Sequence, residues 1–169
     1  MATSTRASAK VLEIVKESRE KKIVLQRKGV DFVPAALRDF KAMGKGVTAL
    51  VGMELELLSL GETPTSFKPV PQIGPGTYEI RAQTAGKWIR VFYVAIFEDA
   101  IWVVDAIAKT QNKIEQVDIE RAQDRYKVAA KKSAEKVAAM KAFKQAAEKL
   151  NVKAKQPAEK RDGLAKKGK

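Results

Sequence analysis

Apolar and polar residues alternate from Tyr78 to Gln83 in the run TYEIRAQ, the period-two pattern of a strand with one buried face. Two further runs follow, WIRVFYVAIF and AIWVVDAIAK, both denser in Val, Ile, Phe, Tyr and Trp, as strands nearer the middle of a sheet are. Joined by TAGK and ED, the three predict an antiparallel meander over residues 77–109. A two-residue loop at Ala85-Gly86 and a four-residue loop over 84–87 give one register, with Gln83 facing Trp88, Arg81 facing Arg90 and Ile80 facing Val91. A second turn at Glu98-Asp99 sets Phe92 against Asp105 and Arg90 against Ile107, with Lys109 just past Arg90 on the same face. The opposite face collects Tyr78, Ile80, Ala82, Ile89, Val91, Tyr93, Trp102, Val104 and Ala106, and is the expected core.

Around the meander the apolar spacing becomes helical. Residues 8–22 carry Val11, Leu12, Ile14 and Val15 between charges, which predicts a short amphipathic helix, and KIVLQRK (22–28) reads as a first strand ended by Gly29. Pro34 near a helix start, with Val33, Leu37 and Phe40 on one side, marks a helix within 31–43. Gly44-Lys45-Gly46 breaks it, and a second helix follows over 47–60 with Leu50, Val51, Met53, Leu57 and Leu58 apolar. A Pro/Gly-rich linker occupies 62–76, and a third helix begins near Gln116 with Val117, Ile119, Ala122 and Tyr126. Helix formers continue beyond it, where Val137, Met140, Ala147 and Leu150 make a seam near heptad spacing among lysines, a stripe suited to docking rather than to a cofactor. From Asn151 the Pro, Gly and Lys content predicts a disordered tail. The expected fold is α+β in the order β-α-α-β-β-β-α, a small antiparallel sheet with helices on one face, an extra N-terminal helix and a long C-terminal helical extension. It divides as a basic arm (1–21), a core domain (22–130) and a basic extension with its tail (131–169).

Composition narrows the chemistry. With no Cys and no His among 169 residues, disulfides, thiol chemistry, most zinc sites and every His-based catalytic arrangement are excluded, and neither a cofactor nor a metal is expected. Gly44-Lys45-Gly46 lacks the spacing of a phosphate-binding loop and follows a helix where that motif needs a strand, so it reads as an interhelix turn. Glu54 and Glu56, two apart on a helix, point in different directions and make no carboxylate dyad. The longest apolar run, residues 91–97, is too short to span a membrane, and Val11 to Val15 is interrupted by Glu13, so a cytoplasmic protein is expected. The net charge of +13 lies at the ends: residues 1–30 carry eight Lys/Arg against three acids and residues 131–169 thirteen against four. Such ends serve either as nucleic-acid-binding arms or as solubilising tails.

Two arginines side by side on a sheet require a compensating partner. Either a carboxylate of the protein supplies it, with Glu79 and Asp105 in reach, or a ligand does, since guanidinium forks match phosphate oxygens.

Taken in order, DFVPAALRDF, the stretch FKPVPQIGPGTYEIRAQTAGKWIRVFYVAIFEDAIWVVDAIAKTQNKI and the helix IERAQDRYKV resemble the RelE/ParE toxin superfamily over roughly residues 25–130, most of all its HigB-like, phage-derived branch. The resemblance implies the toxin of a type II toxin–antitoxin pair, a metal-independent endoribonuclease that cleaves messenger RNA on the ribosome and is held by a cognate antitoxin. The family's phosphate-binding arginines fall on Arg81 and Arg90 and its post-strand lysine on Lys109. In that role the three would stabilise charge on the phosphate while Asp105 accepted the 2′-hydroxyl proton. Lys87 and Lys113 would add to the RNA-binding surface, with Trp88 or Phe92 stacking a base. The chain departs from the branch at Asp105, Ile107 and Thr110, where His, Phe and a second Lys are usual. Those departures leave a second reading open, a non-catalytic binder on the same scaffold, either a gyrase-directed toxin or a phage-encoded interaction protein.

Overall fold

The computed structural model describes residues 27–84 and 86–154; the amphipathic helix expected at 8–22, residues 22–26 of the KIVLQRK run and the tail beyond 154 lie outside the described residues. In chain order the elements are β1 (Gly29–Phe32), α1 (Pro34–Ala42), α2 (Lys45–Ser59), β2 (Phe67–Pro69), β3 (Thr77–Thr84), β4 (Lys87–Val94), β5 (Ala100–Lys109) and α3 (Gln116–Ala154). The five strands form one sheet ordered β1-β5-β4-β3-β2. The α+β class holds, and the sheet is mixed, because β1 runs parallel to β5 while the other pairs are antiparallel.

Local chemistry explains the boundaries. Pro34 occupies the first turn of α1, where its missing N–H costs nothing, and Gly44, at φ 89°, supplies the left-handed step into α2. Strand β1 starts at Gly29 instead of ending there; the residues that pair with β5 are Gly29 to Phe32, opposite Ala100 to Val103. Within the expected linker, Phe67–Pro69 adds a three-residue edge strand to β3, and the proline blunts it. The turn Gly74-Pro75-Gly76 delivers the chain into β3 under Tyr126: a Cβ on Gly74 would lie 2.6 Å from that ring, and Gly76 has φ 68°. Helix α3 continues through Asn151 to Ala154, past the point where the composition predicts a tail.

The meander has the expected register through β3 and β4, with Arg81 opposite Arg90 and Ile80 opposite Val91. In the β4–β5 pair, Arg90 faces Ile107 and Phe92 faces Asp105, again as expected. A bulge between Phe92 and Tyr93 then shifts the register by one, so that Tyr93 faces Val103 and not Val104. Such an insertion exchanges the two faces of β5 beyond it.

One face of the sheet, carrying Ile80, Ile89 and Val91, packs with Val33, Ala36 and Phe40 around α1 and Val51 and Leu55 of α2, all buried. Each of these side chains larger than alanine contributes about 1.5–3 kcal/mol on burial. The other face meets α3, whose buried positions Asp118, Ala122, Ala129 and Ser133 recur at helical spacing and are small enough for close approach. Helices therefore cover both faces, where one covered face was expected; the physical reason is the charge on the second face, described below. A boundary between two compact units falls at Ser133/Ala134, within α3. In the second unit the described residues are helical, with Met140, Phe143 and Leu150 exposed.

Candidate functional site

Strands β3, β4 and β5 place Glu79, Arg81, Arg90, Asp105 and Lys109 on the α3 side of the sheet, because these positions share one parity in the registered ladder. Glu79 is the partner that the arginine pair requires. The Arg90 guanidinium donates to Glu79 Oε2 at 2.7 Å and to Asn112 Oδ1 at 2.5 Å, and the Arg81 Nε lies 3.6 Å from Glu79 Oε1. Arg90 is only 6% exposed and Glu79 1%, so this is a buried, charge-assisted bond. The Nε of each arginine is buried without a hydrogen-bond partner. Arg81 retains 38% of its side-chain surface.

Lys109 turns toward the start of α3 and donates to Glu115 at 2.7 Å, with Asp118 Oδ2 at 2.5 Å. Those two hydrogen bonds raise the Lys109 ammonium above its ordinary value. Asp118 in turn accepts the Glu115 backbone N–H at 3.1 Å, satisfying one of the N–H groups that a helix start leaves free. Burial works against charge on Asp118, but the bond from Lys109 and its other partners hold its carboxyl below the usual carboxylate range.

Asp105 is completely buried and bonds to neither Arg81 nor Arg90. It accepts from Arg121 Nε at 2.9 Å, from Arg125, and from the Ala106 N–H at 2.9 Å. Burial pushes its carboxyl above the ordinary value, while the two guanidinium groups and the N–H pull the other way. Arg125 also reaches Asp39 of α1 at 2.7 Å, tying the helix on one face of the sheet to that on the other. These two arginines were missed in the sequence reading. Their signal was present in IERAQDRYKV, where Arg121 and Arg125 stand four apart on one side of a helix.

Of the residues expected at an RNA surface, Lys87 and Lys113 are exposed and Trp88 is half-buried beside Lys109 across the ladder. Phe92 corrects an expectation: at 0% exposure it is a core side chain with no ring face to offer a base. The assembled group of five cations (Arg81, Arg90, Lys109, Arg121, Arg125) is matched by five carboxylates (Glu79, Asp39, Asp105, Glu115, Asp118). An anionic ligand arriving here would compete with carboxylates already in place. Among the described residues no helix is long and apolar enough to cross a membrane.

The family model described as phage-derived protein Gp49-like (DUF891) matches residues 38–127, which takes in the second half of α1, all of α2, the whole sheet but β1, and the part of α3 that carries Arg121 and Arg125. Neither the curated proteins nor the solved structures give a significant match. With just over half of its length under that model, the chain belongs to the phage-derived Gp49-like family, within the RelE/HigB-like toxin superfamily.

Proposed function

We propose that this chain is the toxin of a toxin–antitoxin pair and that it acts by binding a protein target, not by cutting RNA through the sheet face. A toxin-like family implies a cognate antitoxin as one partner. The observation that carries the rest is the state of Arg90: buried, held by Glu79 and Asn112, and flanked by a Lys109 already bonded to Glu115 and Asp118. Electrostatic catalysis requires donors aimed at the place where charge develops, and here the donors are aimed at the protein's own carboxylates. Asp105, the candidate base, is sealed from substrate by Arg121 and Arg125.

A second reading, the ribosome-dependent ribonuclease, is favoured by a different observation. Arg81 keeps 38% of its side-chain surface, on the same face of the β3–β4 ladder as the half-buried Trp88. Those groups suit a phosphate and a base. Mapping transcript 5′ ends in cells that express wild type or Arg81→Ala separates the two. The binding reading expects growth arrest by both proteins with no new ends. New ends that appear with wild type and vanish with Arg81→Ala would establish the nuclease instead.

A further inference from the structure

We propose that the chain pairs with a second copy of itself by laying Met140, Phe143, Ala147 and Leu150 of α3 in one copy against Leu50, Met53, Leu57 and Leu60 of α2 in the other. Helix α2 has two apolar sides. Val51 and Leu55 are buried toward the sheet, so its remaining surface would ordinarily be polar. Instead Leu50, Met53, Leu57 and the capping Leu60 are 38%, 66%, 36% and 39% exposed. They stand at i, i+3, i+7 and i+10, the a and d positions of a heptad. A continuous apolar stripe of that kind marks an interaction surface, because solvent gives no reason to keep it.

The second face repeats the spacing. Met140, Phe143 and Leu150 are 60%, 76% and 70% exposed, and the exposed Ala147 completes the same i, i+3, i+7, i+10 series. What selects this pairing over like-with-like contact is charge. The α2 stripe is bordered at its e and g positions by Glu54, which accepts the Thr65 N–H, and by Glu56, which pairs with the half-exposed Arg27, whereas Lys144 borders the α3 stripe, with Lys141 and Lys149 further out and Glu148 as its one acid. Two α3 stripes would bring lysines together; an α3 stripe on an α2 stripe brings lysine to glutamate, the arrangement by which flanking charges choose a partner helix. Since every copy carries one face of each kind, the α3 stripe of one copy finds an α2 stripe on another.

Sedimentation velocity on the full chain, over a range of concentrations, tests the pairing with two exposed substitutions. Wild type is expected to dimerise, and Met53→Lys or Phe143→Glu alone to weaken the dimer at least tenfold with an unchanged far-ultraviolet circular dichroism spectrum. Mixing the two variants should restore a dimer, because the first retains an intact α3 face and the second an intact α2 face. A wild-type monomer at every concentration overturns the proposal. So does a Met53→Lys protein that still dimerises, or a mixture that stays monomeric, the result expected if α3 pairs only with α3.

Discussion

On the α1–α2 side of the sheet, Ile80, Ile89 and Val91 lie in apolar packing, and even the Tyr93 hydroxyl is pushed up to about 12, by burial first and by Tyr78 second. On the α3 side the same three strands carry Glu79, Arg90 and Asp105, as deeply buried, and closure is achieved by the Arg90–Glu79 pair, a hydrogen bond from Arg90 to Asn112, and ion pairs from Asp105 to Arg121 and Arg125. Apolar burial is non-directional and tolerates substitution by similar volumes. Buried charges demand their own partners and penalise any other arrangement. One side therefore holds the sheet together, while the other determines where α3 sits and leaves few cations on this surface free for a ligand.

The sharpest break of that contrast is Asp105→Ala, which leaves Arg121 and Arg125 facing an empty, buried position. A loss of about 3–5 kcal/mol is expected, read as a lowered urea midpoint at constant slope. Replacing Asp105 together with its two partners, Asp105→Leu with Arg121→Met and Arg125→Met, leaves Asp39 to Arg38 and Asp118 to Lys109, and should reverse the loss and give a protein between neutral and about 1–4 kcal/mol more stable than wild type. If the triple variant were as unstable as the single one, the charges would contribute net stability and the contrast between the faces would fail. On the apolar side the matching change is mild: Ile89→Val, a fully buried position, should cost about 0.5–1.5 kcal/mol in the same assay.

How much of this was readable beforehand follows the same divide. The meander and its register were legible because alternation sets the face and loop length sets the pairing, so Arg81 could be placed opposite Arg90 from spacing alone. The neutralising Glu79 was one of two carboxylates in reach, and only side-chain geometry could choose it over Asp105. The bulge after Phe92 left no mark in a run of uniformly apolar residues, since either parity fills the core equally well. Strand β1 could not be bounded because a short strand parallel to β5 has no turn to fix its ends. Asp105 looked like a departure from a family pattern; its meaning lay sixteen and twenty residues later on α3, a tertiary pairing without a local signature.

The smallest expected effect is also the one that probes the α3 contact most locally. Asp118 has a depressed folded-state pKa, so its contribution is fully present above the unfolded aspartate value of about 3.9 and is lost as pH falls through the lower folded value. Asp105 acts with the opposite sign: its raised value means that stability falls as pH rises from the unfolded toward the folded pKa, which masks the Asp118 trend in wild type alone. The difference between wild type and Asp118→Asn removes that masking, because Asp105 is common to both. Urea titrations from pH 6 downward should show Asp118→Asn less stable above about pH 4, with the gap closing as the solution is acidified further. A gap that stays constant with pH would mean that Asp118 holds the start of α3 by accepting the Glu115 N–H and not through its charge pair with Lys109. In that event only the exposed Glu115 would hold Lys109, and the α3 side of the sheet would be less fully neutralised than the ion pairs imply.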